Sequence, residues 1–287
     1  GGQGGVIVDT RAHLDDPAFG KDRHEVIVRA LREGVGAIVT AGTDLESSRV
    51  DVGLAEAYPW VYAAVGFHPH DAGQLTPASL DEVGSLAAHP KVVAVGEIGL
   101  DFYRNLSPKE AQQRAFEAQL ELAASLDLPV IVHCREAHRE AMATLRKWVS
   151  RRISPSGRPA GVMHCFSGDE SEGMELIEMG FLVSFAGPVT FPRAQRPKRV
   201  AGALPLSGLL VETDCPYLTP SAHFGQRNEP AFVWAVAHGL AEAKGLAMED
   251  VASATTSNAQ RLFGISTTRK EDFGDRFPFP VHTGRPA

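Results

Sequence analysis

Five apolar runs in this chain end on a side chain that can bind a metal ion or carry a proton: Gly5–His13, Val92–Glu97, Pro129–His133, Ala160–His164 and Leu209–Asp214. A sixth run, Val61–His70, ends on His68 and His70. Imidazole and carboxylate without thiolate suit Zn2+, Mn2+, Ni2+ or Fe2+, and Mg2+ where water completes the shell. A lone histidine in an apolar run reads more readily as a satisfied core residue. Several ionisable groups buried at the same ends of several strands are different, because each would cost several kcal/mol without a partner. A shared metal site is the better reading. Two divalent ions sharing a carboxylate there would ready a water for attack and neutralise a phosphoryl oxygen.

The elements that must position these groups alternate along the chain. Strand-type runs fall at 5–10, 36–42, 61–67, 92–97, 129–134, 160–166, 181–187 and 207–213. Amphipathic stretches lie near 23–33, 46–57, 78–88, 108–127, 136–149, 169–179 and 196–203, with closing helices near 230–244, 247–253 and 255–263. The clearest helix has Ser107 as its expected N-cap and Pro108 as its first residue. Eight strand–helix units without a linker predict one α/β domain over 6–264, a TIM (β/α)8 barrel with its metal site at the C-terminal strand ends. A doubly wound sheet is the alternative, but no glycine-rich phosphate loop accompanies the strands. Residues 265–287 carry Pro, Gly and mixed charge without a period, which predicts a flexible tail.

A 44% hydrophobic, 22% charged chain can bury a full core. No apolar run reaches the ~18 residues a membrane helix needs. No basic segment with an apolar stretch opens the chain, so a cytoplasmic monomer is expected, with Gly1–Gly5 read as a processing remnant. A net charge of −7 does not announce a nucleic-acid binder. Arg193, Arg196, Lys198 and Arg199 nevertheless follow a strand and so fall on the ligand-bearing face, whereas Arg151, Arg152 and Arg158 precede one and fall on the other. Cys134, Cys165 and Cys215, odd in number and without a CxxC, exclude a disulfide framework. Each follows an expected inward ligand, so each should point toward the helices as a small buried hydrophobe. His24, His89, His138, His223, His238 and His282 read as surface or packing residues.

The motifs Asp9-Thr10-x-x-His13-Leu14-Asp15, Gly66-Phe67-His68-Pro69-His70 and Gly96-Glu97-Ile98-Gly99-Leu100-Asp101 stand in this order along the chain. Pro129–His133, His164-Cys165-Phe166-Ser167-Gly168, Glu212-Thr213-Asp214-Cys215-Pro216-Tyr217 and Arg227-Asn228-Glu229-Pro230 follow. Together they resemble the TatD family of metal-dependent deoxyribonucleases, amidohydrolase-like TIM barrels, from about Val6 to Gly264. The resemblance implies Mg2+- or Mn2+-dependent hydrolysis of phosphodiester bonds, 3′→5′ on single-stranded DNA or RNA. It implies one or two divalent ions, with Zn2+ or Ni2+ retained on purification. Carried over by position, Glu97 would bridge two metals, His133 and His164 would complete one site, and His13 and Asp214 the other. Asp214 would also accept a proton from the attacking water. Glu97, Asp214 and His68 are then the catalytic candidates. His68, His70, Arg104 and Asn228 would shape the substrate pocket.

One position departs from that resemblance. The family usually opens with His-x-His, and here the first histidine is Arg11. A guanidinium stays protonated and offers no lone pair. Placed ~5 Å from a divalent ion at an effective dielectric near ~20, it would cost about 5 kcal/mol or more. Either Arg11 turns out of the pocket or the ion it faces binds weakly. The expectation is an intact Glu97/His133/His164 site and a weakened His13/Asp214 site, with Arg11 standing in for the cation and holding substrate phosphate. Two other functions fit the same residues: ester or amide hydrolysis, including D-aminoacyl-tRNA deacylation, and a catalytically impaired nucleic-acid-binding variant.

Overall fold

The computed structural model describes residues 5–276. Eight parallel strands pair in chain order: β1 (Ile7–Ala12), β2 (Val35–Ala41), β3 (Val61–Val65), β4 (Val92–Asp101), β5 (Val130–Arg135), β6 (Gly161–Met163), β7 (Phe181–Phe185) and β8 (Leu209–Val211). The ring closes where the chain beyond β8 meets β1: the amide of Asp214 donates to Arg11 O (3.0 Å) and that of His13 to Cys215 O (2.9 Å). Helices α1 (Arg23–Arg32), α2 (Leu45–Ala57), α3 (Pro77–Ala87), α4 (Lys109–Ser125), α5 (His138–Val149), α6 (Glu170–Glu178) and α7 (Gln195–Ala203) occupy the seven crossovers, and α8 (Val233–Lys244) and α9 (Met248–Phe263) follow β8. This is the (β/α)8 barrel expected from the alternation.

Local chemistry starts several of these helices. Asp44 with Ser47, Thr76 with Ser79, and Asp169 with Glu172 form capping boxes on α2, α3 and α6. Helix α4 departs from expectation: Pro108 stands at its N-cap, and the Ser107 hydroxyl instead donates to His70 O (2.8 Å) and accepts from the Gly73 amide (3.0 Å). Helix α9 is one element where two were expected. Its mid-helix polar residues are tied internally or to the barrel: Thr255 bonds Val251 O, and Asn258 bonds Leu206 O and Leu209 O.

Alternate strand residues divide the core. Val8, Val39, Ile131, Val162, Leu182 and Leu210 form one cluster with Ala259, Leu262 and Phe263 of α9. A larger cluster joins the other strand faces, among them Ile7, Ile38, Val132, Val183 and Val211, to the helices. Each fully buried Leu, Ile or Val contributes about 1.5–3 kcal/mol. The tail expected from residue 265 is packed down over its first part. Ile265 is buried, the Thr268 amide donates to Gly36 O (2.8 Å), and Phe273 lies edge-on to the buried Trp60 at 5.6 Å. Residues 277–287, including His282, lie outside the described residues. No helix among the described residues is long and apolar enough to cross a membrane.

Candidate metal centre

Side-chain alternation lifts the chemistry out of the apolar cluster. Two residues beyond Ile131, Val162 and Leu210, on the same faces, stand His133, His164 and Glu212. On β1 simple alternation with Val8 does not hold: its register against β2 shifts between Ile7 and Val8 and again between Asp9 and Ala12, and Arg11 and His13 line the mouth. Strand β4 runs four residues past its apolar run because Ile98–Asp101 pair with Val132–Arg135 of β5, which brings Asp101 beside His133. That pairing is close: a Cβ on Gly99, whose φ is +144, would meet His133 O at 1.9 Å. Only glycine admits this contact. Asp214 and Cys165 adopt left-handed backbone at φ 57 and 42, just beyond their strands.

Glu97 sits fully buried at the middle of the mouth. Its Oε1 lies 2.9 Å from His133 Nδ1 and 2.8 Å from His164 Nε2, and those two nitrogens are 3.2 Å apart. The far nitrogens settle where the ring protons are. His133 Nε2 donates to Asp101 Oδ2 (3.0 Å), and His164 Nδ1 donates to Glu212 Oε1 (3.0 Å). Burial pushes His164 down to about 3, with Arg11 adding to it against the pull of Glu212. Burial likewise lowers His133, opposed by its bond to Asp101. Both rings are therefore neutral near pH 7, and their inner nitrogens present lone pairs. Two lone pairs and a carboxylate oxygen face one another, and Oε1 receives no hydrogen bond. Such a triangle offers a cation three donor atoms. Ligand atoms set at right angles ~2.1 Å from a six-coordinate ion lie about 3.0 Å apart, which the three spacings match. Asp101 and Glu212 orient the two imidazoles, the role outer carboxylates play for histidines that bind metals.

Arg11 takes the other side of Glu97. Its Nη2 contacts Glu97 Oε2, its Nη1 contacts Asp214 Oδ1, and Nη2 lies 2.6 Å from His13 Nε2. His13 Nδ1 donates to Ala41 O (3.1 Å), so Nε2 is the acceptor. The arginine thus turns into the pocket and meets all three ligands expected for a second ion. Burial lowers its pKa, yet a guanidinium remains protonated.

The comparisons with known proteins point the same way. The TatD-related DNase family model matches residues 8–264. The chain belongs to that family. A protein of Bacillus subtilis named uncharacterized metal-dependent hydrolase YabD is 42% identical over 91% of this chain and all of its own length. The 3′-5′ ssDNA/RNA exonuclease TatD of Citrobacter rodentium is 38% identical, covering 91% of this chain and 98% of its own. Among solved structures, YJJV, a TatD homolog from Escherichia coli K12, superposes with a TM-score of 0.83 at 33% identity over 91% of this chain and 98% of its own. Membership in a metal-dependent hydrolase family indicates a divalent metal.

The remaining expected residues of this TatD-family site divide into those in the cleft and those outside it. A cleft of about 960 Å³ at the C-terminal mouth is lined by Arg11, His13, His68, His70, Glu97, Arg104, His133, His164 and Asp214. His68, Glu97 and His133 also bring one ligand atom each within 4.8 Å of one another. His68 Nδ1, however, accepts the His70 amide (3.0 Å), so the Nε2 facing Glu97 Oε1 at 3.5 Å carries the proton. Burial and the neighbouring His133 and His70 keep this ring neutral, making it a donor and not a ligand. His70 donates through Nε2 to Asp101 Oδ2 (2.9 Å), and Arg104 gives its amide to Asp101 Oδ1 (2.8 Å). Asn228 does not reach the cleft. It is fully buried, and its amide nitrogen bridges Thr213 O (2.8 Å) and Tyr217 O (2.5 Å).

Several residues in or behind the cleft were not anticipated. Asp101 and Glu212 stand inside the quoted motifs, at the same strand parity as Glu97 and Asp214, and that parity was the signal for them. Arg135 and His138 line the cleft, and His138 is therefore not only a surface residue. Arg196 of the expected basic loop reaches the cleft, while Arg199 pairs with Glu170 (2.9 Å). Arg152 and Arg158 line a hollow with Ala160 and Phe181, at the N-terminal ends of β6 and β7, as their positions before a strand implied. Cys134 and Cys215 pack in the outer core as expected, though Cys134 also borders the cleft. Cys165 does not point to the helices: it is half-buried at the cleft, turned there by its left-handed backbone. Burial pushes Cys134 and Cys165 up to about 12.

Proposed function

We propose that this TatD-family hydrolase cleaves phosphodiester bonds at the 3′ end of single-stranded DNA or RNA, using Glu97, His133 and His164 to hold Mg2+ or Mn2+. The observation that carries the reading is the triangle of Glu97 Oε1, His133 Nδ1 and His164 Nε2, electron-rich on all three corners, at the mouth of a barrel belonging to this family. The relative named as an ssDNA/RNA exonuclease supports the substrate class. A divalent ion there would withdraw charge from a phosphoryl oxygen and ease loss of a proton from the attacking water.

The chain's own groups do the rest. Asp101 and Glu212 hold the two imidazoles in the tautomer that leaves their lone pairs inward. His68 Nε2–H points at the same floor and would donate to a phosphate oxygen. Asp214, whose Oδ1 is engaged by Arg11, would take the proton released by water on its other oxygen. Arg104, Arg135 and Arg196 rim the cleft and would draw the strand in despite the acidic chain. A protein carrying Zn2+ or Ni2+ after purification, monomeric and cytoplasmic, completes the proposal.

The test is a panel of 5′-labelled single-stranded DNA, the matching RNA and a D-aminoacyl-tRNA, each incubated with Mg2+, Mn2+ or chelator. A ladder shortening from the 3′ end with metal supports the proposal. Release of the amino acid alone would assign ester hydrolysis instead. Binding without turnover would mark an impaired variant.

A further inference from the structure

We propose that Arg11 is a built-in cation occupying the place of a second metal ion, so that each chain holds one divalent ion, at Glu97, His133 and His164, and not two. The inference rests on the metal-binding reading above and narrows it to a stoichiometry. A second ion opposite that triangle would need the outward oxygen of Glu97, an oxygen of Asp214 and the free nitrogen of His13. The Arg11 guanidinium touches all three: Glu97 Oε2, Asp214 Oδ1 and His13 Nε2.

Three physical points make this a permanent occupant. The arginine side chain is 4% exposed, so its charge depends on the two carboxylates for compensation. The carboxylates depend on it in turn, because Glu97 is fully buried and Asp214 partly so. The fork of a guanidinium also reaches all of these acceptors at once, with Nη1 beside one carboxylate and Nη2 between the other and the imidazole. An entering ion would have to expel a paired, buried side chain and then share its ligands with that positive charge. The triangle of Glu97 Oε1, His133 and His164 is untouched by Arg11. Glu97 is therefore split, one oxygen for the ion and one for the guanidinium. With Nη2 fully engaged, Arg11 organises ligands more than it binds substrate.

Metal content per chain tests this without reference to turnover. The intact protein, stripped with chelator and reloaded by dialysis against Mn2+, should carry one ion, with the resolved hyperfine pattern of isolated Mn2+ by electron paramagnetic resonance. Arg11→His should carry two and show the broadened spectrum of an exchange-coupled pair. Arg11→Ala, which keeps His13, Glu97 and Asp214 as ligands, serves if the histidine variant does not fold, as judged by circular dichroism, and should also take up a second ion. Two ions in the unsubstituted protein would overturn the proposal, as would a single ion in every folded variant. An unsubstituted chain that binds no ion removes the metal centre itself and this inference with it. One bound ion without nucleic-acid hydrolysis refutes the proposed function and leaves the stoichiometry standing.

Discussion

Replacing Asp101 with asparagine isolates what the outer carboxylate does. Asp101 Oδ1 accepts the Arg104 amide at 2.8 Å, and an asparagine carbonyl would keep that bond. Oδ2 accepts from both His133 Nε2 (3.0 Å) and His70 Nε2 (2.9 Å). An NH2 group there would face two N–H donors. His133 would respond by moving its proton to Nδ1, where it can donate to Glu97 Oε1, 2.9 Å away. The apoprotein would gain that bond, while the metal centre would lose a lone pair. Losing such an outer-shell partner costs ~10–100-fold in metal affinity, about 1.4–2.7 kcal/mol. At a free Mn2+ concentration ~100 times the wild-type Kd, the ion stabilises the wild type by about 2.7 kcal/mol and the variant by only about 0.4–1.4 kcal/mol. At ~2–4 °C per kcal/mol for a domain of this size, the metal-induced rise in Tm should fall from about 5–10 °C to about 1–5 °C. Calorimetric titration and thermal melts, each with and without Mn2+, read both quantities. An unchanged Kd with an unchanged metal-induced shift would refute the tautomer argument.

Other substitutions separate framework from site. Asn228→Ala removes buried bonds to Thr213 O and Tyr217 O, and should cost about 2–3 kcal/mol in urea unfolding while leaving KM within a few-fold. A raised KM with unchanged stability would restore it to the substrate pocket. Gly99→Ala should destabilise by about 2 kcal/mol or more and weaken metal binding, since the new Cβ must displace the His133 carbonyl; wild-type melting and metal affinity would show that the strand yields freely. For Cys165, raised to about 12 by burial, the thiolate is the minor form until the pH nears that value, so reactivity climbs throughout the alkaline range. Its thiolate fraction at pH 8 is ~10³-fold below that of an ordinary cysteine, and higher intrinsic nucleophilicity offsets part of this, leaving alkylation about 10²-fold slower. Fast labelling of Cys165, followed by peptide mass spectrometry, would contradict that.

The barrel was legible because each strand is an apolar run bounded by turn residues, and several helices, α2, α3 and α6 among them, carry their own start signal. Glu97, His133 and His164 were legible for a related reason: a ligand-type residue ending an apolar run falls at the mouth of any such barrel. What escaped depends on contacts distant in sequence. Asp101 belongs to a strand only because β5 pairs with the residues after Glu97. Asn228 carries the look of a polar pocket residue, yet two backbone carbonyls claim its amide. The stretch from Ile265 to Phe273 has no periodicity of its own and is held by Gly36 O and Trp60, more than 200 positions earlier. Cys165 reaches the cleft through its left-handed backbone just past β6, and His138 from the first turn of α5, neither of which strand alternation describes. For Arg11, the sequence allowed an outward or an inward side chain. The pull of two carboxylates, Glu97 fully buried and Asp214 partly so, decides for inward.

The central claim is that Glu97, shared between the metal triangle and Arg11, governs phosphodiester cleavage. The direct measurement is the initial rate of shortening of a 5′-labelled single-stranded DNA in Mg2+ and in Mn2+ by the wild type and by Glu97→Gln. The variant is nearly isosteric but offers an uncharged group to both neighbours. The account predicts metal-dependent shortening from the 3′ end by the wild type and a loss of about 10²-fold or more in the variant, comparable to removing one preorganised electrostatic contact. Cleavage that survives chelation, or a Glu97→Gln rate within a few-fold of wild type in a metal-replete assay, would contradict it.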